Sequence, residues 1–153
     1  MPQPPPVSDL TAHLGFWLRT VSNHVSHAFA IKLADRDVTV AEWVVLRALY
    51  DKEPTPPSQL ADEIGLTRGA ITKLADRLIA KALIVRNASR DDGRAQTLAL
   101  TAQGKKIVPV LAALADDNDA EFFGRLSKAE RDMLERLLKR MVEQGRMTVT
   151  PVD

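Results

Sequence analysis

The chain has 153 residues, 45% hydrophobic and 27% charged, with a formal net charge of +1. That suits one ordinary domain, or a small domain with helices added at both ends, and argues against two independent domains or a disordered chain. The absence of cysteine removes disulfides and thiol redox sensing, and no apolar run approaches bilayer-spanning length, so a soluble cytoplasmic protein without a membrane partner is expected.

The start, MPQPPPVSD, lacks the basic and apolar regions of a signal peptide. Its prolines exclude helix, so residues 1–7 are expected to form a flexible arm. Helix is predicted from near Ser8. Leu10, Leu14, Trp17, Val21, Val25, Ala28 and Phe29 recur at three- and four-residue intervals, which extends it to about Leu33. Thr39 and Glu42 have capping-box spacing and open a second helix from about Val40 to Tyr50. EPTPP stops it, Pro57 suits the first position of a short third helix, and Gly65 ends that helix. Thr67 can cap a fourth helix running to about Lys81.

Two short apolar strands follow, Leu83 to Ala88 and Thr97 to Leu100, joined by SRDDGR with its Asp92-Gly93 turn chemistry, which predicts a hairpin. Thr101 caps a fifth helix carrying Pro109, where a kink is expected. The acidic run 116–119 should be a solvated bend near its end. Ser127 and Glu130 repeat the capping-box spacing before a sixth helix, whose apolar side carries Met133, Leu134, Leu137, Leu138 and Met141.

Charge is distributed unevenly along this order. Between Arg68 and Arg94 seven basic residues face three acids, a local +4 that the rest of the chain offsets. At about 100° per residue, Arg68, Gly69, Thr72, Lys73 and Asp76 share an arc of about 140° on the fourth helix. Ala70, Ile71, Leu74, Ala75 and Leu78 occupy the opposite arc. One face can thus anchor the helix while the other offers short or basic side chains to a DNA groove, where Arg68 can donate two hydrogen bonds to guanine. Arg90 and Arg94 on the hairpin tip suit a minor groove, and Asp92 can steady a guanidinium beside it.

The order of elements, TRGAITKLADRL, and Asp92-Gly93-Arg94 followed by Thr97-Leu98-Ala99-Leu100-Thr101 resemble the MarR family of bacterial transcriptional regulators across nearly the whole chain. The resemblance implies a mainly α fold with a small β-hairpin wing: a winged helix-turn-helix over residues 39–101, with dimerisation helices in 8–34 and 102–146, all within one unit, 8–153. It implies a homodimer on double-stranded DNA with a pseudo-palindromic operator. Arg68, Thr72 and Lys73 correspond to groove-facing positions, Arg94 to the wing arginine and Asp92 to its partner. Ser58 and Gln59 are candidate phosphate contacts, and Gly69, Arg77 and Arg90 complete the expected DNA-contact set.

Dimerisation has a physical basis too. Leu10, Leu14, Leu111, Leu114, Phe122, Phe123, Leu134, Leu138 and Met141 present more apolar surface than the 39–101 unit can cover, which favours association across a two-fold axis over packing within one chain. The resemblance further implies an effector pocket for aromatic or phenolic acids. On the first helix His13, Thr20, His24, His27 and Ile31 fall on one arc of about 60°, with Trp17 at its edge and Trp43 able to face them. His13, Trp17, His24 and Trp43 are therefore the candidate ligand residues. No cofactor is expected, and no metal site, since neither cysteine nor a helical carboxylate supports His24 and His27. The expected function is a repressor relieved by a small ligand, the alternative being a winged-helix protein-interaction module. No nucleophile or metal motif accompanies the histidines, so an enzyme is not expected.

Overall fold

The computed structural model describes residues 1–88 and 95–145. Six helices and a two-stranded antiparallel sheet follow in the order α1 (Leu14–Ala34), α2 (Val40–Tyr50), α3 (Pro57–Ile64), α4 (Arg68–Ala80), β1 (Ile84–Ala88), β2 (Gln96–Leu100), α5 (Ala102–Phe123) and α6 (Lys128–Gln144). Among the described residues no helix is long and apolar enough to cross a membrane.

The caps act where the sequence places them. The Thr39 hydroxyl accepts from the Glu42 backbone N–H at 3.1 Å while Glu42 Oε1 accepts from that of Thr39 at 2.9 Å, satisfying two donors that the first turn of α2 would leave orphaned. Ser127 and Glu130 do the same for α6. Gly65 ends α3 at φ 72°, a left-handed conformation that costs glycine little, and turns the chain into α4. The first helix differs from expectation. Leu10–Ala12 form a separate 3-10 turn, His13 is extended at φ −92°, and α1 begins only at Leu14.

Leu46 of α2, Leu60 of α3, Ile71 and Leu78 of α4, Ile84 of β1 and Leu98 of β2 are fully buried together. Each contributes about 1.5–3 kcal/mol by burial. Their core continues without a break into Leu33 of α1 and Val108 and Leu111 of α5, so Leu111 is satisfied inside one chain and needs no second copy. In the hairpin Ile84 faces Leu100 and Ala88 faces Gln96. Thr55 pairs with the free edge of β2, exchanging N–H···O bonds of 2.9 and 2.8 Å with Leu98, a short third strand position that the sequence did not suggest.

Polar contacts lock the remaining joints. Ala82 adopts φ 60° between α4 and β1, and its carbonyl accepts from the Thr101 hydroxyl at 2.7 Å. Asn118 is buried, donating to Val25 O at 3.1 Å and accepting from Lys32 Nζ at 3.0 Å. The 116–119 run is therefore a helical segment with a side chain pinned to α1, and not a solvated bend. Helix α5 continues through Pro109. None of the residues of α6 is buried, and Met133, Leu137, Leu138 and Met141 lie exposed.

Candidate nucleic-acid interface

Helix α4 stands on the apolar face expected of it: Ile71, Leu74, Ala75 and Leu78 are buried, while Arg68, Gly69, Thr72, Lys73 and Asp76 are exposed. The Thr67 hydroxyl accepts from the Ala70 N–H at 3.1 Å, so the cap holds the first turn and leaves the Arg68 and Gly69 end of the helix open. A Cβ built on Gly69 meets nothing within 4 Å. The Thr72 hydroxyl donates to Arg68 O at 2.9 Å, which spends its proton within the helix and leaves its oxygen as an outward acceptor. Among the described residues neither Arg68 nor Lys73 pairs with an acid. Asp76 does pair: it accepts from Arg86 Nη2 at 2.9 Å, joining α4 to β1.

Other expected contacts are placed less simply. Ser58 is half-buried at the start of α3. Gln59 is exposed, and its amide donates to Glu63 at 3.1 Å. Arg77 lies at the edge of the α4 arc, but its Nη2 sits 3.3 Å from Glu42 Oε1 and 3.5 Å from the Thr39 hydroxyl. Arg90, Asp92 and Arg94 lie outside the described residues.

The sequence reading took Glu42 only as a cap and did not anticipate its burial or its ion pairs. Glu42 is completely buried on α2, beside Lys81 Nζ, which lies 3.2 Å from Oε1 and 3.1 Å from Oε2. Burial pushes its carboxyl up, but the Thr39 backbone N–H, the Lys81 ammonium and the Thr39 hydroxyl outweigh that and hold it below the usual glutamate range. The signal was available: residues 42, 45, 46 and 49 form the buried stripe of α2, so an acid at 42 had to lie among apolar neighbours.

Each of the four candidate ligand residues has a partner outside the set. His13 precedes α1, with Nδ1 3.3 Å from Leu10 O. Trp17 packs edge-on against Phe16 and donates Nε1–H to Thr11 O at 2.9 Å. His24 turns Nδ1 to Thr20 O at 2.7 Å. Trp43 meets Phe29 edge to face, with centroids 6.3 Å apart, and packs against the core. An open groove of about 940 Å³ does run along α1, lined by Arg19, Ser22, Asn23, Ser26, His27 and Val40 among others, but by none of the four. Among the described residues no group of three histidines or carboxylates could hold a metal ion.

Residues 36–95 match the MarR family, the stretch from the turn after α1 to the residue before β2. The chain is 32% identical over 127 residues to the HTH-type transcriptional regulator MhqR of Bacillus subtilis, covering 80% of this chain and 82% of that protein. It is 29% identical over 106 residues to the transcriptional regulator HosA of Escherichia coli O157:H7, covering 69% and 78% respectively. Among solved structures, a mutant of Escherichia coli MarR complexed with operator DNA superposes with a TM-score of 0.79 at 27% identity, covering 88% of this chain and 99% of that one.

Proposed function

Because the chain belongs to the MarR family of transcriptional regulators, we propose that it is a homodimeric, sequence-selective DNA-binding repressor that reads a pseudo-palindromic operator through α4. The exposed arc of α4 carries this reading. Among the described residues Arg68 and Lys73 pair with no acid, Gly69 presents bare backbone, and the opposite face is fixed in the core. Arg68 would read a guanine edge, Lys73 and Thr72 would contact bases or adjacent phosphates, and the open first turn of α4 would favour a phosphate oxygen. Arg90 and Arg94, steadied by Asp92, are assigned to the minor groove, and Ser58 and Gln59 to phosphates. Arg77 is left out of the reading set, because its guanidinium is drawn to Glu42.

A single reading helix of this length needs a second. The exposed apolar sides of α6, of the 3-10 turn and of the start of α1, with Leu10, Leu14, Leu138 and Met141, support pairing of two copies, which would set two α4 helices about one DNA turn apart. For relief of repression we assign the effector to the groove along α1, where Arg19 and His27 beside Ser22, Asn23 and Ser26 offer donors to a small aromatic carboxylate. A ligand preferring one spacing of the two α4 helices would shift the population that fits DNA.

Anisotropy titration against the intergenic DNA upstream of the protein's own gene, with a shuffled duplex alongside, tests the reading. Arg68→Ala is expected to weaken operator binding by about 1–3 kcal/mol and to lose preference at one base position, while Lys73→Ala should also reduce the salt slope by about one if it holds a phosphate. Equal affinity of the wild-type protein for both duplexes would remove the selective reading in favour of a protein-interaction role.

A further inference from the structure

Glu42 does more than a cap requires. The capping box uses Oε1 alone, a task that a neutral glutamine performs as well. Yet a charged carboxylate stands fully buried at this position, and burying charge is unfavourable unless partners compensate it. The compensating cations are Arg77 of α4 and Lys81, the residue that caps the C-terminal end of that helix. Arg77 Nη2 lies 3.3 Å from Oε1, and Lys81 Nζ lies 3.1 Å from Oε2 in a geometry that makes an ion pair but no hydrogen bond. Lys81 also donates to Asp37 O at 2.5 Å, in the turn between α1 and α2.

Arg77 follows Lys73 by four residues, so the two are neighbours on one edge of the helix. Its side chain is 51% exposed. Released from Glu42, the guanidinium could extend along that edge toward a phosphate, adding affinity that does not depend on sequence. We infer that Glu42 is a positioning residue for DNA recognition: by drawing Arg77 and Lys81 onto the start of α2, its carboxylate fixes the presentation of α4 and withholds Arg77 from phosphate. The inference rests on the DNA-reading function proposed above. It makes Glu42 a determinant of selectivity although it touches no DNA.

The test uses the full-length protein, titrated with its upstream duplex and a shuffled duplex over a range of salt. Glu42→Gln keeps the cap and removes the charge. Binding to the shuffled duplex should rise roughly three- to tenfold, with a log–log salt slope steeper by about 0.9 for one added phosphate contact. On the operator the loss of the fixed α4 presentation should offset the added contact, so the ratio of specific to shuffled affinity should fall roughly three- to tenfold. Arg77→Gln in the Glu42→Gln background should return the slope to that of wild type, and Glu42→Asp, which retains the charge, should leave the slope near wild type. A merely structural Glu42 would instead lower both affinities in parallel and leave the slope alone, and that result would overturn the inference. So would persistence of the steeper slope without Arg77. Arg77→Gln by itself gives a check that does not depend on how Glu42→Gln folds: an unchanged slope is expected, and a slope shallower by about 0.9 would mean that Arg77 already holds phosphate, contrary to the inference. Failure of the wild-type protein to distinguish the duplexes would refute the DNA reading itself, whereas discrimination retained in full by Glu42→Gln would refute only this inference.

Discussion

Gly69→Ala places stability and DNA binding in opposition. Gly69 is the second residue of α4, it is exposed, and an added Cβ meets no atom within 4 Å in the free protein. The methyl therefore creates no clash and removes backbone freedom from the unfolded chain. Glycine is about 0.8–1.0 kcal/mol worse than alanine inside a helix, and in the first turn roughly half of that should be realised, a gain of about 0.5 kcal/mol. For a chain of this length that corresponds to a rise of about 1–2 °C in Tm. On DNA the same methyl would occupy space through which the bare backbone approaches base edges. Moving α4 outward to accommodate it should weaken operator binding about tenfold, roughly 1.4 kcal/mol, and shuffled DNA less. Thermal unfolding and anisotropy on one preparation read both effects. A variant that is more stable and binds the operator as tightly as wild type would refute close approach by the start of α4. A less stable variant would refute the accounting of free space around Gly69.

Gly104→Ala should act in the opposite direction on stability, because its Cβ would fall 2.1 Å from Leu83 O and 3.1 Å from Leu83 C, both backbone atoms. We expect a net loss of about 1–3 kcal/mol in urea unfolding despite the better helix former, and an unchanged midpoint would show that the backbone at Leu83, just before β1, yields freely. Glu42 predicts a pH dependence. Its folded carboxyl titrates below the ordinary value of 4.5, so on acidification the unfolded state takes up the proton first. Its stabilising contribution is complete above that value and is lost as pH falls through the folded pKa. Urea midpoints between pH 7 and 3 should therefore fall less steeply at the acid end for Glu42→Gln than for wild type, and equal slopes would contradict the paired carboxylate seen with Arg77, Lys81 and Thr39. Leu138→Glu or Met141→Glu, on the exposed side of α6, should shift a dimeric wild-type protein to monomer in sedimentation velocity without altering the helical circular dichroism per residue. An intact dimer in both variants would place the interface elsewhere.

The DNA-reading lobe was legible because its boundaries are set by local chemistry. Thr39 with Glu42, Pro57, Gly65 and Thr67 each satisfy or remove a backbone group within a few residues, and α2, α3 and α4 begin and end beside them. The start of α1 was not legible, because a 3-10 turn at Leu10–Ala12 repeats nearly the same spacing of apolar residues as an α-helix and conceals the extended His13. Pairing of Thr55 with Leu98 and the reach of Arg77 to Glu42 join residues far apart in sequence, so periodicity alone could not supply them. Glu42 was accounted for as a cap, which hid its place on the buried stripe of α2. The aromatic and histidine arc of α1 was only partly legible as a groove: a helical projection shows which residues share a face but not what that face meets, so His27 lines the groove along α1 while Trp43 is turned onto Phe29.

A chemical footprint of the protein on its own upstream DNA tests the central claim most directly. Two symmetric major-groove protections centred about 10–10.5 base pairs apart, present with wild type and abolished by Arg68→Ala at the same protein concentration, are the predicted result. Uniform protection along the duplex, or a footprint that Arg68→Ala leaves intact, would contradict recognition through α4.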